Sequence, residues 1–172
     1  DTINYAGSAT DFEDGTLPAA ALTWTMTFLH DNHGHPFLGP LDGIAGGQFT
    51  IPRTGEGATD VAYKIQLRAT DSGGLTHKTK VFLVPRVTSF EILTSPLPFT
   101  VEVAGSPRPA PTTVDSVVGY EWTISLPTPQ VGSDGHTYDF VQWADAGVTA
   151  NPRLLRAPEE PSDFLAIFLR RP

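Results

Sequence analysis

Val61-Ala62-Tyr63-Lys64-Ile65-Gln66-Leu67-Arg68-Ala69 decides the fold class. Successive side chains of an extended strand point to opposite faces, so Val61, Tyr63, Ile65, Leu67 and Ala69 share one face and Ala62, Lys64, Gln66 and Arg68 the other. Alternation this strict describes a strand with one face buried and one face wet. Trp24, Met26 and Phe28 against Thr23, Thr25 and Thr27 repeat the pattern. No stretch of 11 residues carries an apolar stripe at the helical period, and the chain is expected to be all-β.

Working outward, strands are expected over residues 2–9, 22–30, 47–51, 60–69 and 75–84 in the first half. The second half reads as strands over 89–93, 99–103, 118–126, 137–143 and 164–170. Turn-forming clusters separate them, among them Ala104-Gly105-Ser106-Pro107 and Gly132-Ser133-Asp134-Gly135. Pro85-Arg86 marks a seam, because proline cannot donate to a strand ladder and the alternation restarts at Val87. Two tandem β-sandwich domains are therefore expected, 1–85 and 86–172, each of ordinary domain size.

Composition agrees with many short strands. The 172 residues include 16 prolines and 16 glycines, both above average usage, with no collagen-like period. There is no cysteine, so stability beyond burial must come from packing or bound ions. The formal net charge is -8 with both halves negative, which argues against nucleic acid and anionic membranes as partners. No apolar run reaches the 18 or so residues a membrane helix needs. The blunt opening Asp1-Thr2-Ile3 reads as a piece cut from a longer protein whose targeting signal lies upstream.

Two acidic phrases recur, Ala9-Thr10-Asp11-Phe12-Glu13-Asp14-Gly15 and Ala69-Thr70-Asp71-Ser72-Gly73-Gly74. In an immunoglobulin-like sandwich with 2–9 and 22–30 as its second and third strands, the loops holding these phrases meet at one pole. Asp11, Glu13, Asp14 and Asp71 would then converge. Crowded carboxylates repel unless a cation neutralises them, and calcium takes such oxygens at flexible geometry, so a structural calcium is expected. The competing reading is a pair of polar turns whose Asp side chains close on their own backbone.

His30-Asp31-Asn32-His33-Gly34-His35-Pro36-Phe37 places three of the five histidines within six positions. Three readings fit it. As a sugar-binding loop it would offer the flat faces of Phe37 and the imidazoles, with Asp31 and Asn32 as hydrogen-bond partners. As a transition-metal site it would offer two or three imidazoles plus Asp31 to zinc or copper. As a plain loop its histidines would bond backbone carbonyls. His77 is expected at the opposite pole, with the acidic loops. A nucleophile with a matching base is not legible anywhere, so the protein is not expected to be an enzyme.

The loudest phrase in the second half is Trp143-Ala144-Asp145-Ala146-Gly147. Tyr138 and Phe140 share a parity that Trp143 breaks by one, which calls for a bulge. Pointing outward, Trp143 would be an aromatic platform for a ligand; pointing inward, it would be core. Trp122 and Ile124 read as core.

Both acidic phrases resemble those of PKD-type and cadherin-like bacterial immunoglobulin folds. Together with Thr27-Phe28-Leu29-His30, His33-Gly34-His35-Pro36-Phe37 and Gly74-Leu75-Thr76-His77, they resemble a C-terminal module of secreted bacterial sugar dehydrogenases of the pyrroloquinoline-quinone type. Ser95-Pro96, Pro127-Thr128-Pro129-Gln130 and the Tyr138 to Gly147 phrase resemble the β-repeat that follows that module. The apolar ending Phe164-Leu165-Ala166-Ile167-Phe168 departs from the Thr-Tyr-rich strand usual there. The resemblance implies a non-catalytic accessory role beside a catalytic domain of the same parent chain, outside the cell. The expected function is binding of a polysaccharide or oligosaccharide through His30, Asp31, Asn32, His33, His35, Phe37 and Trp143, with calcium at Asp11, Glu13, Asp14 and Asp71. The alternatives are a ligand-free structural spacer or a transition-metal site at the histidine loop.

Overall fold

The computed structural model describes residues 1–145 and 147–172; Ala146, within the Trp143 phrase, lies outside the described residues. The chain is all-β and forms several sheets. It divides into two compact units, Asp1–Pro52 with Asp60–Pro85, and Arg53–Thr59 with Arg86–Pro172. Residues 53–59, expected in the first domain, belong with the second unit, where Tyr120 Oη donates to the Gly55 carbonyl at 2.8 Å and the Glu121 N–H to the Arg53 carbonyl at 2.8 Å.

The first unit carries β1 (Thr2–Ala6), β2 (Thr10–Asp11), β3 (Gly15–Thr16), β4 (Leu22–His30), β5 (His33–Asp42), β6 (Gly46–Thr50), β7 (Val61–Thr70) and β8 (Thr76–Leu83). Its main sheet has the order β5-β4-β7-β8, all antiparallel, and β1 pairs with β6 in a second small sheet. The alternation of β4 and β7 buries Leu22, Trp24, Met26, Tyr63, Ile65 and Leu67, with Phe49 from β6 in the same cluster. Tyr5 of β1 meets the Trp24 ring edge-on at 4.8 Å between centroids. Each such large apolar side chain contributes about 1.5–3 kcal/mol on leaving water.

The second unit carries β9 (Val87–Ser95), β10 (Thr100–Val103), β11 (Ser106–Pro109), β12 (Thr112–Val117), β13 (Glu121–Ser125), β14 (Gln130–Val131), β15 (Thr137–Trp143), β16 (Arg153–Arg156) and β17 (Ser162–Arg170). A four-stranded sheet, β11-β10-β13-β16, and a five-stranded sheet, β12-β9-β17-β15-β14, share one core centred on Phe90, Ile92, Val101, Ile124, Trp143 and Phe168. Strands β17 and β9 run parallel. The register of β15 on β17 slips between Phe140 and Gln142, the bulge that the parity of Trp143 calls for. That slip turns Trp143 inward, and it is 0% exposed.

Five strands of these larger sheets lie outside the spans expected from the sequence: β5, β11, β12, β14 and β16. Each sits at a sheet edge. Edge strands can hold proline because an N–H facing solvent is not missed, and β5 holds Pro36 and Pro40 while β11 holds Pro107 and Pro109.

Candidate metal centre

The histidine segment is a hairpin, not a loop. β4 ends at His30, Asp31 and Asn32 make the turn, and β5 begins at His33. Asp31 takes φ 47, a left-handed conformation that Asp and Asn tolerate better than other side chains. A two-residue turn sets the register, with His30 opposite His33, Leu29 opposite Gly34 and Phe28 opposite His35.

That register explains the cluster. Leu22, Trp24, Met26, Phe28 and His30 share the inward face of β4, and opposed residues of an antiparallel pair lie on the same face. His33 and His35 therefore join His30 as the outer end of the stripe that begins in the core. The ring centroids of His30 and His33 are 4.2 Å apart, those of His33 and His35 4.9 Å, and those of His30 and His35 5.1 Å. His30 Nε2 and His35 Nε2 approach to 3.1 Å. One ligand nitrogen from each ring lies within 4.8 Å of the others, and among the described residues no other group of three His, Asp or Glu side chains gathers in this way.

Behind His30, Asp31 Oδ2 lies 3.5 Å from Nδ1. Asp31 thus lies on the Nδ1 side of His30, away from the Nε2 that approaches His35. A carboxylate on the second nitrogen of an imidazole is the usual way to orient a metal-ligating histidine. The His30 side chain is 14% exposed and rests on Phe28, with ring centroids 5.6 Å apart, while His33 and His35 are exposed. With zinc–nitrogen bonds of about 2.0–2.1 Å, tetrahedral ligand nitrogens sit about 3.3 Å apart. The His30–His35 separation of 3.1 Å is close to that value, and a ring nitrogen of the exposed His33 lies within 4.8 Å of both.

The aromatic side chains expected at a sugar site are elsewhere. Phe37 is half-buried, edge-on to Phe49 at 5.6 Å and to Tyr63 at 5.0 Å, because it continues the inward parity of His33 and His35. Trp143 is wholly inside the second unit, its Nε1 donating to the Ala150 carbonyl at 3.3 Å and the Arg153 guanidinium lying 5.1 Å from its ring. Neither ring offers a face to a ligand. Asn32 is exposed in the turn.

The acidic loops do meet, but not as a carboxylate cluster. Asp14 accepts from the Ser72 N–H at 2.7 Å and from Ser72 Oγ at 2.8 Å, across 58 residues of sequence. Asp11 Oδ1 accepts from the N–H groups of Asp14 and Glu13, and these bonds hold its carboxyl below the ordinary carboxylate range. Asp71 Oδ1 accepts from the Leu75 N–H at 2.8 Å. Each of these three carboxylates accepts from N–H or O–H donors of the two loops, as Asp side chains in polar turns do, and Glu13 is exposed. A cleft of about 370 Å³ beside them is lined by Asp11, Leu17, Asp71, Leu75 and His77, among others. His77 lies opposite Ala69, itself opposite Leu22, eight residues of strand from His30 and thus over about 20 Å away.

Comparison of the chain with family models, with curated proteins and with solved structures finds no match in any of the three.

Proposed function

We propose that this chain is a non-catalytic binding module that holds a divalent transition-metal ion at the tip of the β4–β5 hairpin, through His30, His33 and His35. The observation that carries this reading is the convergence of three imidazoles on one sheet face, ligand nitrogens within 4.8 Å, with a carboxylate behind the least exposed of them. An all-imidazole donor set suits zinc, copper or nickel and disfavours calcium and magnesium, which take oxygen. Three protein ligands leave a fourth position for water or a partner's side chain. Both units are read as immunoglobulin-like sandwiches, a reading supported by one apolar cluster in each unit lined by facing sheets.

The test is isothermal titration of the whole chain with zinc chloride at pH 7.5, beside His33→Ala/His35→Ala and with calcium chloride as a control. The expected result is one zinc per chain, no calcium signal, and loss of zinc binding in the variant with an unchanged far-ultraviolet spectrum. Equal zinc binding by the variant, or none by the wild type, would overturn the proposal.

A further inference from the structure

The chain is acidic, with 19 Asp and Glu against 11 Lys and Arg, yet its first unit gathers its cations in one place. Every lysine and arginine of that unit, namely Lys64, Arg68, Lys78 and Lys80, belongs to β7 or β8. The register sets Arg68 opposite Lys78, Gln66 opposite Lys80 and Lys64 opposite Phe82. All six occupy the outward face of the sheet, since Tyr63, Ile65 and Leu67 take the inward one. Thr23, Thr25 and Thr27 of β4 continue that face, opposite Arg68, Gln66 and Lys64.

Among the described residues none of these four cations forms an ion pair. The nearest approach to one is relayed: Arg68 Nη2 donates to Thr23 Oγ1 at 3.2 Å, and Thr23 Oγ1 donates to Asp42 Oδ1 at 2.6 Å. Lys80 Nζ lies 5.6 Å from the centre of the Phe82 ring, which is itself 52% exposed. Like charges on adjacent strands oppose one another, so their gathering in an otherwise acidic chain costs stability that a polyanion bound there would return.

We propose that this outer face of β4, β7 and β8 binds an acidic polysaccharide bearing carboxylate or sulfate groups. Lys78 and Lys80 stand about 6.6 Å apart along β8, Arg68 faces Lys78 across about 4.8 Å, and Lys64 lies about 13 Å from Arg68 along β7, an array that an extended chain can follow. The Thr25 and Thr27 hydroxyls and the Gln66 amide supply hydrogen bonds to sugar hydroxyls, and Phe82 supplies an exposed ring face. A stiff duplex nucleic acid would press its phosphates on the acidic remainder of the chain, whereas a flexible polysaccharide can engage the patch alone. The site lies on the face of the sheet opposite the three histidines, so it stands independently of the metal reading.

The experiment is affinity electrophoresis and titration of the whole chain with polygalacturonate, dextran sulfate, neutral dextran and single-stranded poly(dT). It compares the wild type with Lys78→Gln/Lys80→Gln, Lys78→Glu/Lys80→Glu and His33→Ala/His35→Ala. Both lysines are exposed on an edge strand, and the milder Gln pair guards against a folding defect in the Glu pair. Expected are retardation by polygalacturonate or dextran sulfate but not by dextran, weakening by at least tenfold in both lysine variants, no change in the histidine variant, and loss at 0.5 M salt. Absence of retardation at 20 mM salt, equal binding by the lysine variants, or equal or tighter binding of poly(dT) would overturn the proposal. So would salt-sensitive self-association of the chain that depends on Lys78 and Lys80.

Discussion

Asp31→Asn isolates the electrostatic support of the metal centre from its backbone. Position 31 needs φ near 47, which Asn adopts as readily as Asp, so the hairpin turn and the His30–His33 register survive the change. What is lost is the negative charge 3.5 Å from His30 Nδ1. Removal of such an outer partner costs 10–100-fold in metal affinity. Because Asp31 is 67% exposed, solvent screens the contact and the lower end applies, about tenfold or about 1.4 kcal/mol. The same loss is readable in a thermal melt. Zinc at 100 times the wild-type Kd stabilises the fold by about 2.7 kcal/mol, and the variant at that concentration by about 1.4 kcal/mol. At about 2–4 °C per kcal/mol for a chain of this size, Tm rises by about 5–11 °C in the wild type and by about 3–6 °C in the variant. Zinc titration and paired melts, with His30→Ala as the full-loss reference, measure both quantities. Affinity within twofold of the wild type would refute the orienting role of Asp31, and metal-independent melting of the wild type would refute the site itself.

Trp143→Ala removes a fully buried ring from the second unit and with it the stacking partner of Arg153. A loss of about 3–5 kcal/mol is expected in urea denaturation, and a loss below about 1 kcal/mol would contradict its place in the core. Acid should weaken the second unit through Asp145, Asp139 and Asp134, whose carboxyls are held below the ordinary range first by hydrogen bonds from Arg153, Arg171 and Tyr138 respectively. A carboxyl depressed on folding stabilises above its unfolded value, about 3.9 for Asp, and that contribution disappears as pH falls through the lower folded value. Urea midpoints should therefore fall progressively below about pH 4, less steeply in Asp145→Asn; equal slopes in the two proteins would exclude the Arg153 pair as a contributor.

Central strands were readable because both neighbours constrain them. β4 and β7 are flanked on each side in the main sheet of the first unit, so their inward positions must be apolar and their outward positions can be polar. Edge strands are held on one side only, and β5, with Pro36, Gly34, Gly39 and Pro40, reads locally as a loop. That misreading hid the site's geometry. The identity of His30, His33 and His35 as a group was visible, but their common face depends on β5 being a strand that follows a two-residue turn. Aromatic residues misled for a related reason. Phe37 shares the parity of His33 and His35, but only the pairing of β5 on β4 shows that this face meets Phe49 and Tyr63; Trp143 follows a register shift, and local parity cannot tell which way a residue beyond a bulge points.

By itself the sequence determined the strand period, hence the all-β class, the inward stripe from Leu22 to His30, the seam near Pro85 and the supply of imidazoles and carboxylates. All of these follow from side-chain order along a chain whose faces alternate every residue. Only the tertiary structure decided which groups meet: three histidines across one hairpin, Asp14 with Ser72 rather than with other carboxylates, and four cations on two adjacent strands. Such meetings depend on strand pairing and register, and a shift of one residue would send every side chain of the moved strand to the other face.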